Sequence, residues 1–493
     1  MSSSSSSYRN ILKAFGIFGG VQVVTILVLL VRSKVVAIYL GPSGLGVATL
    51  FNSTLATIGA IIGLGISFSA VREIAAANST EDKFLIGQTI TVFRKWIWFT
   101  GFVGVFIIVV FARQISVWTF GSNTYTYSFV FLAITILLTA YTNGQKTILQ
   151  GLGKLKKMAN MTIWSSILGL VTLPLYYLFG LNGIVPAIII TAIISVLISW
   201  YISKDVKVQS VKIENRQVFI LGMSMVKIGL LVTISGLFYT LGTYVLNIFI
   251  NKINGPNDVG LYQAGWMITN QAVGLVFAAM SVDYYPRLAA LNKDNIRINE
   301  QVNHQAEIML LIIGTIVSLL IIFIPFVIKL LLTDSFLTIS NFVRLSSLGI
   351  LFKAVHWCLG YVILAKGDTR LYIISEFSGT TIMFLSYFAG YYYLGIDGIG
   401  YAFILSYIIY LSIYYFILNK GYGFKFNETL IKIFLIITSI STLIYLVSLL
   451  VNGTLNIFLV GTLALTLVTY SIKELNKRIS FKGIFNQFVT KKL

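Results

Sequence analysis

The chain has 493 residues, of which 57% are hydrophobic and only 11% charged, with a formal net charge of +20 at pH 7. A mean hydropathy of +0.89 leaves more apolar surface than a water-soluble fold of this size can hide, so the composition excludes the soluble enzyme and nucleic-acid-binding classes and points to a membrane protein. The lone Cys358 excludes an internal disulfide and reads as a small packing residue on an apolar helix.

Taken in chain order, Met1 and the run Ser2 to Ser7 are expected to form an irregular tail. The apolar run that follows is too long for a signal peptide and lacks a small-residue cleavage site, so it reads as a first span. Runs long enough to cross a hydrocarbon core of about 30 Å fall near residues 14–40, 50–70, 90–111, 127–149, 160–180 and 183–202. A second six fall near 218–250, 261–282, 305–332, 342–365, 371–394 and 398–418, and a trailing pair near 430–451 and 455–472. The predicted fold is an all-α polytopic membrane protein with about 14 transmembrane helices. Residues 1–205 form one six-helix bundle, 206–420 a second, and 421–493 an added helix pair with a basic tail.

The second bundle repeats the first. Gly41-Pro42-Ser43-Gly44-Leu45-Gly46 recurs as Gly255-Pro256-Asn257-Asp258-Val259-Gly260, Gly153-Lys154-Leu155-Lys156 as Gly367-Asp368-Thr369-Arg370, and Asn182-Gly183-Ile184 as Asp397-Gly398-Ile399. One spacing of about 215 residues, held three times, marks an internal duplication, and duplicated membrane proteins are commonly transporters. An even number of spans per half inserts both halves in the same orientation. Gly41, Pro42, Gly44, Gly46, Gly255, Pro256 and Gly260 are read as gate or hinge elements, with ordinary tight turns as the alternative.

Charge sets the expected topology. With the N-terminus inside, 28 of the 36 Lys and Arg residues collect on the inner side, the bias that cytoplasmic loops carry. Both termini are therefore expected inside, and the net charge reflects topology and anionic headgroups with no nucleic acid involved. Catalytic machinery is missing: neither His304 nor His356 sits in an HExxH pattern, no Cys/His cluster has metal spacing, and Gly151-Leu152-Gly153-Lys154 is not a phosphate-binding loop. Outer loops are short, the longest running from about Arg113 to Thr126, so neither an enzyme nor a bound cofactor or metal is expected.

Charges inside spans are the informative residues, because one at the bilayer centre costs roughly 2.5–3.5 kcal/mol. Arg32 and Lys353 fall near the middle of their spans and are expected to face protein or water, with His356 on the same helix face as Lys353. Lys34 cannot share the face of Arg32, and both snorkelling and cavity lining stand open for it, as they do for Lys227 nearer an inner end. Asp283, Glu307 and Glu376 lie close to inner ends, where they form ion pairs or titrate with a coupling proton or sodium ion; Asp283 has Arg287 at i+4. A cavity with Arg32 and Lys353 suits an anion such as a phosphate pair. The abundant aromatics, Tyr391-Tyr392-Tyr393 among them, read as interfacial belts.

Leu40-Gly41-Pro42-Ser43-Gly44-Leu45-Gly46, Tyr285-Pro286-Arg287-Leu288, and Gly360 to Lys366 with Arg370 to Glu376 carry a likeness to a known family. Over about its first 420 residues the chain resembles the Wzx flippases of the multidrug/oligosaccharidyl-lipid/polysaccharide exporter superfamily. The resemblance implies movement of an undecaprenyl-diphosphate-linked oligosaccharide, an O-antigen or related unit, from the cytoplasmic to the periplasmic leaflet of a bacterial inner membrane. Arg32, Lys353, Lys34 and Lys227 are then the expected diphosphate-binding set, and His356, Glu376, Asp283 and Glu307 the expected coupling set for H+ or Na+. The bilayer and other polysaccharide-assembly membrane proteins are the implied partners. The competing reading is an ion-coupled antiporter of organic cations on the same fold, which needs a deep acidic site.

Overall fold

The computed structural model describes residues 2–206, 208–209, 211–451 and 453–479. In chain order the helices are α1 (Ser2–Gly63), α2 (Ile66–Ser79), α3 (Lys83–Val110), α4 (Ala112–Phe120), α5 (Thr126–Gly151), α6 (Leu155–Gly169), α7 (Pro174–Phe179) and α8 (Ile184–Ser203). They continue as α9 (Asn215–Asn254), α10 (Pro256–Ala290), α11 (Asn295–Leu331), α12 (Ser340–Lys366), α13 (Thr369–Tyr422), α14 (Glu428–Leu450) and α15 (Thr454–Ile479). Among the described residues there is no strand, as expected where every backbone polar group must be satisfied within its own segment.

Among the described residues, eleven stretches are long and apolar enough to cross a membrane. Three of them are each two crossing-length segments joined at a glycine with positive φ: Gly41 in α1, Gly180 between α7 and α8, and Gly395 in α13. The fold is thus the expected all-helical polytopic one, and the fourteen expected segments are all present. Gly41 and Gly255, Gly153 and Gly367, and Gly180 and Gly395 all have positive φ. Left-handed backbone therefore recurs at the spacing of the sequence repeat, at positions where a Cβ would cost roughly 1–2 kcal/mol.

Two expectations are corrected locally. Ser2–Ser7 continue α1 as helix, because extending an already nucleated helix costs far less than starting one. The second span near 50–70 is interrupted at Leu64 and Gly65, both with positive φ, where Gly65 and Gly229 approach so closely that a Cβ on either would lie 2.4 Å from the other's carbonyl oxygen. Residues 480–493, most of the expected basic tail, and Lys207 lie outside the described residues.

The chain divides into two compact units, Met1–Gly260 with Leu331–Thr333, and Leu261–Leu330 with Asp334–Leu493. In the first unit one core joins Val36, Phe51, Phe129, Leu132, Tyr176 and Ile184. A second core packs Ile66, Ile74, Phe93, Trp96 and Ile148 against Val218 and Met225 of α9. Polar contacts fasten the same helix: Ser69 Oγ donates to the Met225 carbonyl at 2.7 Å and Trp96 Nε1 to the Val218 carbonyl at 3.0 Å. α9, the opening helix of the second sequence repeat, thereby packs as part of the first unit.

In the second unit α11 and α12 are the most deeply buried helices, with Met309, Leu310, Ile313, Leu351, Val355 and Leu359 all in its core. The trailing pair is fixed by charge. Arg478 at the end of α15 meets buried Glu307 of α11 at 2.8 Å and Glu474 at 2.7 Å, and Asn427 Nδ2, just before α14, donates to Glu307 at 3.0 Å. A buried carboxylate without its cation costs about 3–5 kcal/mol, so this pair ties both trailing helices to the second bundle.

Candidate functional site: a cationic cavity in the first unit

A cavity of about 600 Å³ lies wholly within the first unit, walled by α1, α3, α5 and α8. It exists because the facing positions are small: Ala56, Gly59, Ala60, Gly63, Ala140 and Ala192 leave space that larger residues would fill. On α5 the wall runs from Thr135 to Lys146, eleven residues and therefore about 16 Å of depth at 1.5 Å per residue.

Among the described residues two cations line the cavity, Arg32 and Lys146, and no carboxylate does. Arg32 is half-buried and its Nη2 donates to the Tyr176 hydroxyl at 3.2 Å, which holds the guanidinium by one of its five N–H groups. Thr139, Thr142 and Thr191 each donate to a carbonyl of their own helix at 2.7–3.0 Å, which leaves the hydroxyl oxygens as acceptors on the wall. Guanidinium, ammonium and hydroxyl oxygens together suit an anion that carries neutral hydroxyl groups.

Lys146 was missed from sequence because its position next to the basic 154–157 stretch reads as inner-loop charge; α5 continues to Gly151, which carries it into the cavity wall. Of the four cations expected to bind a diphosphate, Arg32 alone lines this cavity. Lys34 donates to the carbonyl of Leu332, and Lys227 is exposed on α9.

Lys353 belongs to the second unit, where its Nζ sits 5.6 Å from the Phe277 ring and 5.9 Å from that of Tyr407, within cation–π range. His356, one turn on, packs edge-on against Tyr410 at 4.4 Å and Tyr414 at 4.5 Å, and its Nε2 is buried without a hydrogen-bond partner among the described residues. Tyr414 donates to the Glu376 carboxylate at 3.3 Å, so histidine and carboxylate flank the same pair of rings. The other two acidic residues are occupied by cations: Asp283 pairs with Arg287 at 2.9 Å, as i,i+4 spacing allows, and Glu307 with Arg478.

The two Gly-Pro corners pack on each other. A Cβ on Gly46 would lie 1.7 Å from the Pro256 carbonyl oxygen, and one on Gly260 would lie 1.9 Å from that of Pro42. Ser43 and Asn257 meet at 3.5 Å. Equivalent residues of the two repeats thus contact each other reciprocally, which only glycine permits at that spacing. Gly44 folds back over Leu40, where a Cβ would lie 2.1 Å from that residue's Cβ.

Comparison with known proteins gives this architecture its relatives. A family described as "Polysaccharide biosynthesis protein" matches residues 11–292. The lipid III flippase of Escherichia coli (strain K12) is 23% identical over 397 residues, 78% of this chain and 92% of that protein. A putative O-antigen transporter of Shigella flexneri is 24% identical over 344 residues, 67% of this chain and 79% of that one. Among solved structures, the lipid II flippase MurJ in its inward closed conformation aligns over 93% of this chain and 98% of its own with a TM-score of 0.70 at 15% identity. An inward-facing MATE-family multidrug transporter aligns over 80% and 95% with a TM-score of 0.67, also at 15% identity. These relatives are membrane transporters and flippases rather than enzymes.

Proposed function

We propose, since the chain belongs to the polysaccharide biosynthesis protein family, that it flips an undecaprenyl-diphosphate-linked oligosaccharide, an O-antigen or related surface-polysaccharide unit. The direction proposed is from the cytoplasmic to the periplasmic leaflet of a bacterial inner membrane, by alternating access, with both termini cytoplasmic and the repeat boundary near residue 205. The observation that carries this reading is the cavity with Arg32 and Lys146 on its walls and no carboxylate. Diphosphate and sugar hydroxyls would lose their water in hydrocarbon at prohibitive cost, and the cavity offers cations for the first and hydroxyl oxygens for the second. An organic-cation antiporter would place its acid where this cavity places bases.

Arg32 and Lys146 act as diphosphate donors in this proposal, and the charge of Lys353 inside its span keeps it as a further proposed substrate cation. Lys34 and Lys227 are left out. His356 and Glu376 become the proposed proton- or sodium-responsive pair, while Asp283 and Glu307 serve as ion-pair anchors. The reciprocal corners at 41–46 and 255–260 are the proposed gate.

The test is leaflet translocation of an undecaprenyl-diphosphate oligosaccharide in proteoliposomes, alongside efflux of an organic cation, for the parent and an Arg32→Gln, Lys353→Gln variant. Flipping by the parent that the variant loses supports the reading. Flipping by both, or cation efflux without flipping, overturns it.

A further inference from the structure

A second, smaller cavity of about 280 Å³ lies between α3 and α5 of the first unit, separated from the larger one by Ile97, which lines both. Its walls carry Arg94, Trp98, Tyr141 and Gln145. Arg94 forms no ion pair among the described residues. Gln145 is 7% exposed and makes no hydrogen bond among them, so its amide faces the cavity unpaired. The amide is open to the cavity, so its donor and acceptor are available to whatever enters it.

The surface beside it is apolar and continuous. Tyr141 packs against Trp98 at 5.8 Å, and Trp98 stacks on Phe102 at 5.9 Å. Phe106 follows on the same helix face, four residues further, and Trp98, Phe102 and Phe106 are 43%, 58% and 67% exposed. Phe131 and Ile134 of α5 are exposed apolar residues as well. A planar cation and an amide donor at one end, an aromatic collar beside them, and an apolar strip running away match a headgroup phosphate followed by acyl chains.

The geometry points to a specific binding site for an anionic phospholipid on the α3–α5 seam, with Arg94 and Gln145 on its phosphate. The site is distinct from the substrate cavity and stands whether or not the chain flips glycolipids. Under the proposed topology it opens to the cytoplasmic leaflet, where anionic headgroups concentrate. Lys95 supplies an internal control: it is the next residue, carries the same charge, and donates instead to the Ile213 carbonyl at 3.3 Å and to Asn215 at 3.1 Å.

The experiment reconstitutes full-length parent, Arg94→Gln and Lys95→Gln proteins in nanodiscs containing phosphatidylcholine with a minor share of phosphatidylglycerol. Native mass spectrometry then counts the phosphatidylglycerol retained on each protein. The expected result is retention by the parent and by Lys95→Gln, and a loss of about tenfold in Arg94→Gln, the worth of one charge-assisted hydrogen bond. Inorganic phosphate should not displace the lipid, because it cannot occupy the apolar strip. Equal losses in the two variants would reduce the effect to bulk charge and overturn the proposal. Phosphatidylglycerol retained no better than phosphatidylcholine, or displaced by inorganic phosphate, would overturn it as well.

Discussion

The two units treat the same positions of the repeat in opposite ways. In the first unit Gly63, Thr139, Thr142, Ala192 and Ser195 line an open cavity. At the repeat spacing of 214 or 215 residues, their counterparts in the second unit are Phe277, Lys353, His356, Tyr407 and Tyr410. Those residues pack together as an aromatic cluster around the lysine and the histidine. Side-chain volume at five matched positions decides whether a unit encloses space or aromatic rings there. The cation arrives differently too. Arg32 and Lys146 stand on the walls of the open cavity, whereas Lys353 stands where the first unit has Thr139.

Six substitutions, grouped in four tests, measure how far this contrast extends. The largest effect is expected from giving the first unit the second unit's filling: Ala192→Tyr with Ser195→Tyr should occupy the cavity and lower translocation at least ~100-fold, about 2.8 kcal/mol, with expression unchanged. A filled cavity that still transports would detach function from that space. Next comes the buried charge pair of the second unit. Arg478→Ala should cost about 3–5 kcal/mol and release hydrogen-exchange protection in α15, while Arg287→Ala, which breaks an exposed pair, should cost less than about 1 kcal/mol. Equal losses would show that burial of Glu307 carries no weight.

A smaller effect is expected at the corners. Gly46→Ala forces a Cβ into the Pro256 carbonyl, and overpacking of this kind costs about 1–3 kcal/mol. A melting temperature identical to the parent's would mean the corners are already apart in the membrane. The last is Tyr414→Phe, which removes the hydrogen bond to the Glu376 carboxylate, about 1.5–3 kcal/mol; a loss well beyond that range would reveal a coupled network around His356.

Much of the fold was legible in the chain. Hydropathy located every crossing-length segment because length and apolarity are properties of local sequence, and the Gly-Pro repeats marked left-handed corners because no other residue takes that backbone cheaply. Arg32 stood out as a charge in the middle of a span. What stayed hidden depends on contacts between distant segments. Glu307 finds Arg478 at a separation of 171 residues, and α9 joins the first unit through Trp96 and Ser69. Lys146 was masked by neighbouring inner-side charges, and the Arg94–Gln145 pocket by the one-dimensional view of two helices whose shared seam only packing creates.

The proposed role of the first unit's cavity is to carry the substrate's diphosphate on its charge. It is tested most directly by proteoliposome translocation of an undecaprenyl-diphosphate oligosaccharide. The parent is compared with Arg32→Gln, Lys146→Gln and with the charge-matched Lys156→Gln, Lys252→Gln, whose lysines are exposed outside the cavity. The cavity pair is expected to lose transport by about 100-fold or more, at 1.5–3 kcal/mol for each charged hydrogen bond, while the exposed pair keeps it. Equal transport by the two variants would contradict it.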